Sequence, residues 1–213
     1  MQRVGPIIMS SEDALKGSAA RLWSLIEERG LAGADTEDID RRIWDLFGQE
    51  WAVLFTDLVG FSRQVARFGI IHFLQIILEQ KRLLLPIVER HDGILIKLEA
   101  DSLLVLFRHA GTAVACAVAM QRACQALNER RVPEEKVILC VGVGHGRVLK
   151  IGDDDVYGQE VNAASKLGED TAKGEEILVT AAARAAAGEV PGVRWEQVRA
   201  DVPGTEICYR VLY

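Results

Sequence analysis

The chain has no long apolar run, no excess of positive charge and no paired-cysteine motif, and each absence closes a class of function. No stretch approaches the roughly 18 consecutive apolar residues of a membrane span, so any meeting with a membrane is expected to run through a partner, without direct insertion. Acidic residues outnumber basic ones, 31 to 25, for a net charge of -6. That sign argues against nucleic acid or an anionic membrane as the main partner. A small anionic substrate stays open, because a bound metal supplies local positive charge. The four cysteines, Cys116, Cys124, Cys140 and Cys208, include no C-x-x-C pair and sit in apolar stretches. They read as buried reduced thiols, which points to a reducing, cytoplasmic location. The amino-terminal MQRVGPIIMS has no apolar core of signal-peptide length. No internal repeat is visible, and no low-complexity tract beyond a few alanines.

What is present is a chain of 213 residues, 49% hydrophobic and 26% charged, enough for one globular domain with an appendage. Ser10-Ser11-Glu12-Asp13 reads as a helix start, and Leu15, Ala19, Leu22, Leu25 and Ile26 keep helical spacing up to Gly30. A second short helix is expected from Asp35-Thr36 to its stop at Gly48. The character then changes. Trp51 to Leu58 is a short apolar run rich in strand formers and reads as a buried strand. A helical stretch from Ser62 to Arg90 places Ile70, Phe73, Leu74, Ile77, Leu84 and Val88 on one face, and Pro86 is expected to kink or split it. Ile94 to Lys97 and Ser102 to Phe107 read as strands joined by a tight turn carrying Glu99, Ala100 and Asp101. A helix from Ala110 to Asn128, a strand from Val137 to Val143, and a loop-and-strand region punctuated by Gly144, Gly146, Gly152 and Gly158 follow. Then come a helix from Val161 to Leu167, a strand from Ile177 to Thr180, an alanine-rich helix, and strands near Val193–Val198 and Glu206–Tyr213. The order is β-α-β-β-α-β with additions: an α+β, ferredoxin-like sheet with helices on one face, preceded by an N-terminal helical segment. Residues 1–48 form that segment, read as a dimerisation or signal-relay element, and residues 49–213 form the main domain.

Three segments carry chemistry. In Phe55-Thr56-Asp57-Leu58-Val59-Gly60-Phe61-Ser62 a carboxylate closes an apolar strand and a glycine and a hydroxyl follow at once. A buried carboxylate there is costly unless paired or metal-bound, and Gly60 lets backbone N–H groups approach an anion. An exposed strand-end aspartate before an ordinary turn would read the same way. In Lys97-Leu98-Glu99-Ala100-Asp101 the acid sits in a turn that strand pairing brings beside Asp57. Two such carboxylates can share hard cations, although a simple hairpin turn also favours acidic residues. In Asp155 to Lys166, Asn162 and Lys166 are i, i+4 on a helix. An amide and an ammonium side by side suit a phosphoryl group, and equally suit a solvated face.

Together the three segments resemble the class III adenylyl and guanylyl cyclases over about residues 49–185, with a weaker tail to 213. The resemblance implies a metal site at Asp57, the Leu58 carbonyl and Asp101, holding two Mg²⁺ or Mn²⁺ ions. It implies phosphate contacts from Gly60, Phe61 and Ser62. It implies adenine selection by Lys97 and Asp155, ribose orientation by Asn162, and a transition-state cation at Lys166. The implied reaction is conversion of ATP to cyclic AMP and pyrophosphate in intracellular signalling. The implied assembly is a homodimer whose sites lie at the interface, with metal and base residues from opposite subunits. Two positions depart from the family. Lys166 stands where the family has arginine, and an ammonium lacks the planar fork of a guanidinium. The stretch Arg199–Thr205 lacks the lysine that usually binds the terminal phosphates. These departures keep a rival open: a cyclase-like module that binds nucleotide without efficient turnover. A dinucleotide cyclase of the GGDEF type is disfavoured, because its Gly-Gly-acidic-acidic-Phe turn is absent. His72, His91, His109 and His145 read as core or capping residues.

Overall fold

The computed structural model describes residues 17–200, 202 and 205–213, with only the backbone described at 61–64. Seven helices and eight strands follow in order among these residues: α1 (Ser18–Arg29), α2 (Thr36–Phe47), β1 (Gly48–Leu58), α3 (Phe61–Phe68), α4 (Ile70–Arg90), β2 (Ile94–Glu99), β3 (Ser102–Phe107), α5 (Ala110–Asn128), β4 (Leu139–Ile151), β5 (Asp155–Tyr157), α6 (Gln159–Lys166), β6 (Ile177–Thr180), α7 (Ala181–Ala187), β7 (Arg194–Arg199) and β8 (Ile207–Leu212).

One sheet organises the chain, in the order β2-β3-β1-β4-β6-β8-β7, with β5 paired to β4. Its first four strands are mutually antiparallel. With the helices between β1 and β2 and between β3 and β4, they give the expected ferredoxin-like unit. β1 is central and covered on both faces, so its sequence is a continuous apolar run rather than an alternation. The strand period of two then sorts it. Ala52, Leu54 and Leu58 join the main core with α4, α5 and α7. Trp51, Val53 and Phe55 point to the other face, where α6 supplies Val161 and Ala164. The large helices thus share one face and the short α6 is added on the other. Each fully buried Leu or Phe in these layers contributes about 1.5–3 kcal/mol by leaving water.

α6 lies directly on β4. A Cβ built at Gly142 would stand 2.0 Å from the Ala164 carbonyl oxygen, and one at Gly144 would stand 2.4 Å from that of Glu160. Gly142 falls inside a strand as expected, whereas the sequence pattern puts Gly144 and Gly146 in a loop-and-strand region. Those two instead lie inside a strand that runs on to Ile151, and what they permit is helix-on-strand contact. The strand also begins later than Val137, for a local reason. The Asn128 side chain donates to the Val137 carbonyl (2.7 Å) and accepts from its N–H (2.8 Å), so that residue's backbone is occupied outside the ladder.

The expected break in the 62–90 helix falls at Gly69 (φ 86°, ψ 160°), between α3 and α4. Pro86 sits inside α4, which continues to Arg90. Phe73, Ile77, Leu84 and Val88 are buried as expected, but Ile70 and Leu74 are about half exposed. At the N-terminal end, the expected helix start at Ser10–Asp13 lies outside the described residues. α2 starts where expected, with the Asp35 side chain accepting from the Asp38 N–H. α1 and α2 pack Leu22, Leu25, Ile39, Ile43 and Phe47 against Ile151 of β4. Arg29–Asp40 (2.6 Å) and Arg42–Glu28 (2.7 Å) ion pairs link the two helices. Trp23 remains 56% exposed. Among the described residues no helix is long and apolar enough to cross a membrane.

Candidate active site

Strand pairing sets Thr56 opposite Leu103 and Glu99 opposite Ser102. The end of β1 therefore meets the β2–β3 turn, as the sequence predicts. Asp57 shares the face of Phe55, the side on which α6 lies. Asp101 sits in the two-residue turn after Ala100, whose φ is 47°, and is 8% exposed. The Ser102 hydroxyl donates to Asp57 Oδ1 over 3.4 Å. The backbone amide of Leu58 favours the charged form of both carboxylates.

Burial, then the Asp101 charge, pushes the Asp57 carboxyl up to about 6. Burial likewise raises Asp101. Glu169, in the single π-helical turn Leu167–Thr171 after α6, adds repulsion to both. The charges acting on this pair are thus of one sign. Two semi-buried oxygen donors whose proton affinity is raised by burial and by neighbouring negative charge fit a hard divalent cation, which takes carboxylate, carbonyl and phosphate oxygens. Among the described residues no group of three or more His, Cys, Asp or Glu side chains encloses a metal. The pair would therefore need backbone and substrate oxygens to complete a coordination shell.

Gly60 follows in the left-handed conformation (φ 86°, ψ 16°) and caps α3. The first-turn amides of α3, which include those of Phe61 and Ser62, open next to Asp57. An anion is favoured at such a helix start.

A cavity of about 280 Å³ lies on the same face, lined by Lys97, Ser102, Asp155, Tyr157, Asn162 and Ser165 among others. Lys97 Nζ stands 2.9 Å from Asp155 Oδ1. The Val156 N–H and the Tyr157 hydroxyl also donate to Asp155, each at 2.8 Å. These bonds outweigh burial and hold the Asp155 carboxyl below its ordinary range. The partnership with Asp155 raises Lys97. The structure therefore brings Lys97, Asp155 and Asn162 to one cavity, and Asp57, Leu58 and Asp101 to one strand end. Ser102 touches both groups. Lys166 does not line the cavity. Its ammonium pairs with Asp170 Oδ2 at 2.5 Å, with both side chains more than half exposed, and that hydrogen bond raises its pKa. Glu160 anchors the start of α6 by accepting from the His145 N–H (2.9 Å) and the Thr180 hydroxyl (2.7 Å). Arg199 ends β7 as an exposed residue, and the stretch after it is described only in part.

Sequence reasoning passed over Tyr157, Asp170, Glu169 and Ser102. Two of these carried a signal. Tyr157 is two residues from Asp155 on a strand, hence on its face, and Asp170 is four residues after Lys166 along a helix. Glu169 reaches the aspartates through the π-helical turn, which no spacing rule announces.

The profile of the "Adenylate and Guanylate cyclase catalytic domain" matches residues 48–206. The chain belongs to this cyclase family. Among its relatives, "Putative adenylate cyclase 3" of Rhizobium meliloti (strain 1021) is 37% identical over 117 residues, 54% of this chain and 20% of that protein. "Serine/threonine-protein kinase pkn2" of Myxococcus xanthus is 31% identical over 135 residues, 63% of this chain and 16% of that protein. The chain thus spans a fifth or less of the length of these curated relatives. A solved structure, "Adenylate/Guanylate Cyclase/Hydrolase from Silicibacter pomeroyi", superposes with a TM-score of 0.67 at 23% identity, covering 77% of this chain and 95% of that one. At that identity the likeness concerns the cyclase fold.

Proposed function

We propose that this cyclase domain converts ATP to cyclic AMP and pyrophosphate, in a site completed by a second copy of the chain. The observation that carries the adenine reading is the Lys97–Asp155 pair on the cavity wall. An ammonium donor beside a carboxylate acceptor complements the N1 acceptor and 6-amino donor of adenine. The shared site is supported by size. About 280 Å³ lies just below the roughly 300–1,000 Å³ of ordinary ligand pockets. It suits a base and sugar and leaves the triphosphate to another wall. A homodimer supplies that wall, as the family resemblance implies.

In this reading Asp57, Asp101 and the Leu58 carbonyl hold two Mg²⁺ or Mn²⁺ ions. When bound, such ions activate the ribose 3′-hydroxyl and offset charge on the α-phosphate. Asn162 orients the ribose. Gly60 and the α3 amides receive the terminal phosphates. The 3′-hydroxyl gives up its proton to solvent as its oxygen bonds to the α-phosphorus, the bond from that phosphorus to the bridging oxygen of the β-phosphate breaks, and pyrophosphate departs with the electron pair. Lys166 meets the charge that develops. It must leave Asp170 to do so, and an exposed pair of this kind opposes that only weakly. The helical segment 1–48 acts as the dimerisation or relay element of a domain spanning 49–213, and its exposed Trp23 supports this. The buried free thiols support a cytoplasmic setting for a signalling enzyme.

The Lys166–Asp170 pairing also favours a second reading, a nucleotide-binding module with weak turnover. Incubating the chain with Mn²⁺ and either ATP or GTP, then identifying products by mass spectrometry, separates the two. Cyclic AMP as the main product supports the proposal. Saturable ATP binding with no cyclic product from either nucleotide supports the module.

A further inference from the structure

One fully buried polar side chain reaches, from the helix layer, the backbone of the turn that carries Asp101. Gln80 lies in the middle of the apolar face of α4, among Phe73, Ile76, Ile77, Leu84 and Ile87, with no solvent exposure. Its amide Nε2 donates to the backbone carbonyl of Asp101 at 2.7 Å. Its Oε1 has no hydrogen-bond partner among the described residues. A half-satisfied amide in an apolar layer opposes folding, so stability alone does not account for it. The bond it makes does. Glu99 pairs with Ser102 across the two-residue turn, which leaves the Asp101 carbonyl outside the ladder, and a buried carbonyl needs a partner. Asp101 also follows a left-handed Ala100, so its backbone is held in an uncommon turn.

We infer that Gln80 is a positioning residue for the metal site: from the core of α4 it clamps the backbone of Asp101 and so sets where that carboxylate stands relative to Asp57. The inference rests on the reading of Asp101 as a metal ligand. Residues that orient a ligand typically change metal affinity about 10–100-fold when replaced.

The test measures Mn²⁺ binding by loss of the free-ion electron paramagnetic resonance signal, with Mn²⁺ in excess over 3′-deoxy-ATP, which cannot cyclise, and with the ion bound by the nucleotide alone subtracted. Gln80→Met keeps the volume and removes the bond. It is expected to fold, to melt within a few degrees of the parent, and to bind Mn²⁺ at least tenfold more weakly. Gln80→Asn keeps the amide but withdraws it by one methylene, and an intermediate loss is expected. Ile77→Val loosens the same layer without touching the turn and should leave Mn²⁺ affinity unchanged. Unaltered affinity in Gln80→Met overturns the inference. So does an equal loss in Ile77→Val, which would mean general loosening. Asp101→Asn separates the premise from the inference. If it too leaves Mn²⁺ binding intact, the metal reading itself has failed; if it abolishes binding while Gln80→Met does not, only the role of Gln80 has failed.

Discussion

Replacing Asp57 with asparagine should make the metal-free protein more stable while removing its activity. The Asp57 carboxyl moves from 3.8 to about 6 in the folded chain. About two pKa units, at 1.36 kcal/mol each, set a ceiling of about 3 kcal/mol. The group is only half buried, so solvent screening reduces this to about 1–2 kcal/mol. The sign follows from the direction. A raised carboxyl pKa means the folded state holds the proton more tightly than the unfolded state does. That contribution is present below pH 3.8 and is lost as pH rises through about 6. At pH 7.5 the wild type bears the full penalty of a buried charge beside Asp101, and asparagine does not. For a chain of this length the melting temperature should rise by about 2–8 °C. Thermal unfolding by circular dichroism in EDTA, at pH 7.5 and 4.5, measures it. The advantage of Asp57→Asn should shrink to well under half at pH 4.5, where the wild-type carboxyl is protonated. Adding Mn²⁺ and 3′-deoxy-ATP should raise the wild-type melting temperature and leave the variant's unchanged. A variant no more stable than wild type at pH 7.5, or one whose advantage grows on acidification, would refute the reasoning.

The remaining predictions concern the cavity and α6. Lys97→Ala should raise the KM for ATP by about 10–100-fold, the range for losing a hydrogen bond to a charged group. Its kcat should change little and its preference for ATP over GTP should narrow, as read by initial rates with each nucleotide. Lys166→Ala should lower kcat about a hundredfold with KM nearly unchanged, as expected for a contact made in the transition state. Gly142→Ala puts a methyl group 2.0 Å from the Ala164 carbonyl oxygen and 2.6 Å from the Gly168 amide nitrogen. Overpacking against backbone should cost about 1–3 kcal/mol or more, visible as a lower melting temperature together with lost activity, because Asn162 moves with α6.

Much of this arrangement was legible before any coordinates. The continuous apolar run of β1, the turn after β2 and the period-two alternation place Asp57 beside Asp101 from local rules alone. α5 was readable to the residue, since its alanine-rich run is flanked by polar residues at both ends. The failures share a cause. Gly144 and Gly146 suggest an interrupted, loop-and-strand region, whereas they lie in a continuous strand where close approach of α6 is what demands glycine. Proline was taken as the helix breaker at 86, while the true break at Gly69 lay in a run that looks helical by spacing. Asn128 ends α5 and also occupies the backbone of Val137, a long-range bond that no periodicity encodes. The positioning groups Gln80, Glu160 and Glu169 were likewise hidden, because each acts on residues distant in sequence. Gln80 alone left a trace, as the polar interruption of an apolar helix face.

The proposed enzyme forms cyclic AMP in a site that takes Asp57 from one copy and Asn162 from the other. Complementation tests this most directly. Asp57→Asn and Asn162→Ala should each be inactive alone. Co-expressed, they should form mixed dimers carrying one intact site, and should restore about a quarter of the wild-type rate, since half the dimers are mixed and half their sites are intact. Recovery of cyclic AMP near that level is the predicted result. A wild type that makes no cyclic AMP, or an active wild type whose two variants show no recovery together, would contradict the account.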